Sequence, residues 1–238
     1  MKKNLMFLFL ASFFTYSCHK IFFNEDEKRR ELFFEDFYSV RIYGIYDIIL
    51  IQDSTNRMVI TGKNDINSIT ANITGDTLTI DDHKKMYFNT SKNKIVLHFR
   101  NLQDLKTYNP VTVSNTDTLR ANYFNFDGLG EIAEARFTVD CDYFSMGNSA
   151  NTLGFLYVKG KSNDCYLFNR YGGAIIADSL SCKNAIIVNE SVGDVYVNAS
   201  DNIKVYIWGP GNIYYYGSPV IEIAEKRGEG RLIQLNKK

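Results

Sequence analysis

From Phe33 onward the chain alternates short apolar runs with polar breaks, and no stretch after Glu31 keeps a helical period. Runs at 39–43, 47–52, 57–61, 69–74, 77–80 and 95–99 are rich in Ile, Val, Thr and Tyr and are bounded by Gly, Asn, Asp or Ser. Branched and aromatic side chains suit a pleated, half-buried surface, and the bounding residues suit turns, so each run predicts a β-strand. The spacing is irregular up to about residue 105, and a repeat follows it.

Three stretches share one plan: YLFNRYGGAIIA at 166–177, IIVNESVGDVYV at 186–197 and VYIWGPGNIYYY at 205–216. Each is an apolar strand, a polar or glycine-rich corner and a second apolar strand, and the starting positions 166, 186 and 205 differ by twenty and then nineteen residues. A weaker copy runs from Phe144 through a corner at 147–150 to 153–158, and 127–130 marks an earlier corner. A unit of this size cannot bury its own apolar face, so copies must stack, in parallel and ~4.8 Å apart. An antiparallel sandwich is the alternative, but its turns recur about every 8–12 residues rather than once per ~20. The alignment predicts that residues 166, 186 and 205 lie on successive turns, as do 176, 196 and 215. Gly172, Gly173, Gly193, Gly209 and Gly211 mark corners needing positive φ or close backbone approach.

The first residues read differently. Lys2 and Lys3 precede an uncharged apolar stretch from Leu5 to Phe14, about half the ~20 residues a membrane span needs, which matches a secretory signal. Ser17 then supplies a small residue before Cys18, as in a bacterial lipobox, although Thr15 stands where the common pattern has Leu; an ordinary signal cut nearby is the alternative. The expected layout is a lipoprotein signal peptide at 1–17, a lipidated Cys18 with a charged tether at 18–32, and one β-solenoid domain at 33–238. Acyl chains at ~0.8 kcal/mol per buried methylene would hold such a protein on a membrane. The tether expectation rests on the run from Glu25 to Glu31, which as a charged segment suits a solvated linker or short exposed helix.

Composition narrows the partners. Twenty-seven basic residues balance twenty-seven acidic ones without a basic stripe, which argues against nucleic acid. Besides Cys18, the chain carries Cys141, Cys165 and Cys182, with no zinc-like spacing. They read as small buried residues, with oxidation of one pair as the alternative in an envelope protein.

No reactive constellation stands out. Gly154, Gly160, Lys161 and Ser162 miss the phosphate-loop spacing, and a strand follows where a helix would be needed. His19, His83 and His98 have no metal or nucleophile-base spacing, and Asp81, Asp82 and His83 read as a solvated turn. Asp140 and Asp142 flank Cys141 on a strand and so share the opposite face, the arrangement of an acidic calcium site in a β-helix polysaccharide lyase. No catalytic residue, metal ligand or cofactor is assigned. Aromatics are more informative: Tyr214 and Tyr216 share one side of a strand, with Tyr196 expected beneath them and Trp208 at a corner. These four form the expected binding surface, for a glycan or protein ligand; rings covering the end of the solenoid core are the alternative.

The segment FYSVRIYGIYDIILIQ at 37–52, with MVITGK at 58–63, TLTI at 77–80 and the closing IKVYIWGPGNIYYYGSP at 203–219, resembles the head GIN domain family, whose members are described as auto-transporter adhesins. The resemblance covers about residues 33–235. It implies an all-β, right-handed, single-stranded parallel β-helix-like solenoid with a less regular N-terminal β region, in an outer-membrane lipoprotein of the Bacteroidetes type. It carries no catalytic residues to transfer. A non-catalytic binding role follows, with a carbohydrate-active lyase-like enzyme and a structural envelope component as rivals.

Overall fold

The computed structural model describes residues 27–63, 65–82, 93–130, 133–149 and 153–236. The expected signal peptide and Cys18 lie outside them. Nearly every expected N-terminal run is a strand. After β1 (Lys28–Phe33) come β2 (Ser39–Tyr43), β3 (Tyr46–Gln52), β4 (Arg57–Gly62), β5 (Ile69–Thr74), β6 (Thr77–Asp82), β7 (Asn93–Phe99), β8 (Asp104–Thr107) and β9 (Val111–Asn115). Their stacking order differs from their chain order. β2 lies between β6 and β8, and β3 between β7 and β9, all in parallel. At this end β5 runs antiparallel on β6, β4 antiparallel on β7, and β1 antiparallel on β4. These hairpin-like pairings finish an end that would otherwise present a bare parallel edge.

Two expectations fail here. The charged run is no tether at 28–32, because Lys28–Phe33 pairs with β4 from Gly62 to Arg57. Pairing with β4 satisfies its backbone on one side, Leu32 packs on the core, Glu31 meets Arg57 at 2.9 Å and Arg29 at 3.7 Å, and Arg30 donates to Ile69 O at 2.8 Å. Likewise Asp81 and Asp82 do not form a turn; they end β6, and His83 lies outside the described residues.

Beyond these come β10 (Leu119–Gly128), β11 (Ala133–Asn148), β12 (Phe155–Tyr171), β13 (Ala174–Ser191), β14 (Val195–Ile207), β15 (Ile213–Tyr216), β16 (Val220–Lys226) and β17 (Leu232–Gln234). From β10 to β14 each pairs in parallel with the next, β14 then pairs with both β15 and β16, and β15 with β17. This is a β-solenoid and not a sandwich. β11 to β14 are long because each bends through a corner without leaving the ladder. In β12 the buried positions are Leu156 and Val158 before the bend, Ser162 within it, and Cys165, Leu167 and Asn169 after it. The buried set switches from even to odd numbers across the corner, which gives every turn a first arm and a second arm facing one core.

Like residues then line up in columns. Leu105, Phe126, Met146, Leu167, Ile187 and Val205 stand one above another, all buried. At the end of the second arm the column is Asn148, Asn169 and Asn189, fully buried. Buried amides need partners, and these find corner carbonyls: Asn169 donates to Gly173 O at 2.7 Å, and Asn189 to Gly193 O at 3.1 Å and Gly211 O at 3.0 Å. Glycine is required beside them for space. A Cβ on Gly173, Gly193, Gly211 or Gly230 would run into the backbone carbonyl of Gly154, Gly173, Gly193 or Gly211, one turn earlier. Close approach, and not positive φ, is the reason for these corner glycines.

The register corrects the alignment at one place. Tyr166 faces Ile186 and Ile176 faces Tyr196, as expected. The next turn, however, is eighteen residues and not nineteen: Ile187 faces Val205 and Tyr196 faces Tyr214. An odd step would exchange the two faces of the strand. It would have set Ile186, 40% exposed, over Val205, which is fully buried.

Candidate functional site

The outer face of the first arms carries a column that crosses six strands: Arg136, Tyr157, Ile176, Tyr196, Tyr214 and Ile233. Alternation puts them there. Their sequence neighbours Leu156, Ile175, Val195, Ile213 and Tyr215 turn inward and are buried, and what remains faces solvent, half-covered by its own column. Tyr196 and Tyr214 stack with ring centres 4.8 Å apart and planes 11° from parallel. The Arg136 guanidinium lies 3.9 Å over the Tyr157 ring. Tyr216 faces the same way two residues further along, opposite Asn198. Ordered, half-buried rings offer apolar area together with hydroxyl groups. Burial, then Asp194, raises the Tyr196 pKa, so its hydroxyl remains a donor at neutral pH. Beside the column a cavity of about 440 Å³ lies between Tyr157, Lys159, Ile176 and Asp178.

Trp208 is not part of that face. It follows the second arm of β14, where its indole N–H donates to Glu225 at 2.9 Å and the Arg227 guanidinium lies 5.2 Å from its ring. Its ring meets Tyr206 edge-on at 5.8 Å. Of the four expected surface residues, the fold unites Tyr196, Tyr214 and Tyr216 and sends Trp208 to another corner. The Tyr column is also not an end cover, because Ile233 of β17 continues it past Tyr214.

A polar groove follows the first corner of successive turns. Two adjoining cavities, of about 560 and 630 Å³, share Asp140, Cys141 and Asp142 in their walls. As expected, Cys141 turns inward while its flanking aspartates do not. Burial pushes the Cys141 thiol up to about 11, leaving it a poor nucleophile. Asp140 pairs with Lys161 at 3.2 Å, Asp142 accepts from Asn163 at 3.0 Å, and Asp164 accepts from Asn184 at 2.8 Å. These carboxylates therefore meet amides and a lysine instead of converging on one another. Among the described residues, no group of three or more His, Cys, Asp or Glu is placed to hold a metal ion.

One pairing had no signal in the sequence. The buried His98 ring lies 3.0 Å from Asp53, forty-five positions earlier in the chain. Asp53 is held below its usual pKa mainly by the Ser54 backbone N–H and then by His98. The Ser54 hydroxyl bonds Asp53 and not His98, so this is not a nucleophile-base arrangement. Among the described residues, no helix is long and apolar enough to cross a membrane.

Comparisons with known proteins agree with this architecture. A crystal structure described as a putative adhesin from Bacteroides fragilis superposes with a TM-score of 0.79 at 21% identity, covering 89% of this chain and 98% of the other. A putative adhesin from Parabacteroides distasonis gives a TM-score of 0.65 at 17% identity, over 88% and 97% of the two chains. A protein from that organism described as a putative lipid binding protein gives 0.60 at 19% identity, over 89% and 98%. No curated protein matches the chain. The family model described as "Putative auto-transporter adhesin, head GIN domain" matches residues 36–219. Over more than half its length the chain fits that one pattern, and it belongs to the head GIN domain family.

Proposed function

We propose that this protein is a non-catalytic binding protein of the bacterial cell envelope, anchored through an acylated Cys18, that holds its ligand against the outer face of the first arms. One observation carries the reading: the in-register column of Tyr157, Ile176, Tyr196 and Tyr214 on a flat parallel sheet. Aromatic side chains of this kind concentrate binding energy because little freedom is lost when they are covered. The family's description as adhesins points the same way. The anchor rests on the sequence alone.

Arrays of glycans and of extracellular proteins, probed with the purified chain, test the binding reading. Tyr196→Ala with Tyr214→Ala is expected to weaken retained binding by at least about tenfold while the thermal midpoint survives. Equal binding by the double variant, or no retained ligand on either array, rejects the surface. Turnover of an acidic polysaccharide that disappears in Asp140→Ala would promote the lyase alternative. For the anchor, Cys18→Ala is expected to abolish palmitate labelling and move the protein out of the membrane fraction; persistent labelling rejects it.

A further inference from the structure

The three solenoid cysteines are buried, yet their surroundings differ. Cys165 opens the second arm of β12, and Cys182 sits in the first corner of β13, one turn away. Their sulfur atoms lie 3.2 Å apart. The Cys182 thiol also points at Asn198 O, 3.3 Å away, and Cys182, although buried, forms part of the wall of the groove. Cys141 lines the same groove, and its thiol meets the Ala121 backbone. Ser162 stands between it and Cys182 in the ladder, so two spacings of ~4.8 Å separate them, beyond the ~7 Å that a disulfide spans between Cα atoms. The ladder between β13 and β14 slips at this corner, between Ala177 and Ser181 and again between Cys182 and Asn184. The slip lies on the side of β13 away from Cys165, and the β12–β13 ladder keeps its register through the corner.

We propose that Cys165 and Cys182 form a disulfide that staples β12 to β13, adjacent turns of the solenoid, at this corner. The Cys182 thiolate attacks an external disulfide, of the glutathione or dithiol-oxidoreductase class, and expels one thiol. Cys165 then attacks the Cys182 sulfur of the mixed disulfide and expels the second. Both protein thiols give up their protons, and the two electrons leave with the reduced external pair. Cys141 stays a thiol. This assignment stands whether or not the outer face binds a ligand, and it is tested on the purified chain without reference to cell location.

The full chain is equilibrated with oxidised or reduced glutathione, unfolded, alkylated and mapped by non-reducing proteolysis and mass spectrometry. The oxidised sample is expected to yield a peptide linking Cys165 to Cys182, with Cys141 alkylated and Cys18 followed separately. Closing a loop of this size is expected to raise the melting temperature of the oxidised form by roughly 6–12 °C, a difference absent in Cys165→Ala. Alkylation of both Cys165 and Cys182 after oxidation, or a link involving Cys141, overturns the pairing. A link that leaves the melting temperature unchanged overturns the staple.

Discussion

Phe124→Ala is expected to destabilise the fold by about 3–5 kcal/mol, the range for removing a buried aromatic ring. Phe124 is fully buried and sits on the second arm of β10, where it packs between the two arms of the next turn. Its ring meets Phe137, from the first arm of β11, edge-on at 5.4 Å, and Phe144 of the second arm at 6.1 Å. The cost lies at the upper end of what cavities show when their walls cannot collapse, and here the walls are backbone ladders held at a fixed ~4.8 Å repeat. At ~2–4 °C per kcal/mol for a domain of this size, the melting temperature should drop by roughly 6–20 °C. Urea denaturation of both proteins gives the free energies directly. A difference below about 1 kcal/mol would mean that the ring is not packed as described.

Gly193→Ala is expected to cost about 3 kcal/mol, although it adds a single methyl group. The new carbon would run into the Gly173 carbonyl group, with the Ala174 nitrogen close behind. Neither is a side chain that can rotate away. Relief requires the turns to part, which would break the bonds that cross between these corners, from the Asn169 amide to Gly193 O at 3.4 Å and from the Ser191 hydroxyl to Gly173 O at 3.1 Å. Ser179→Ala, at an exposed position on β13, should stay within about 0.5 kcal/mol of the parent and serves as the control. Amide hydrogen exchange sharpens the test, since protection should fall in β12 and β13 together. A variant as stable as the parent would show that the corner glycines are spacers without steric cause.

Both effects come from contacts between turns, and this explains how much of the molecule was legible beforehand. Strand positions such as 39–43 and 69–74 were readable because alternation and turn residues act over a few neighbours. The solenoid from β10 onward was readable because its neighbours in space are also neighbours in sequence, one period apart. The stacking of Tyr196 on Tyr214 followed from that same period once the turn length was corrected by a residue. The N-terminal order was not readable: nothing local says that the turn holding β2 and β3 enters between β6–β7 and β8–β9. Trp208 was grouped with the tyrosines because it is near them in the chain, whereas the corner it occupies turns it toward Glu225.

By itself, then, the sequence determined that this chain is all β, that its second half winds in parallel turns of about twenty residues, and that Tyr214 and Tyr216 share one face of their strand while Asp140 and Asp142 lie opposite Cys141. Those properties follow from alternation and spacing along the chain. The tertiary structure alone decided the partners: charged β1 against β4, His98 against Asp53, Cys165 against Cys182, and eighteen residues between Ile187 and Val205. Each of these is a choice among strands or side chains with equivalent local patterns. The choice is settled by which arrangement covers the apolar faces and satisfies the buried amides together, a condition that exists only once the turns are stacked.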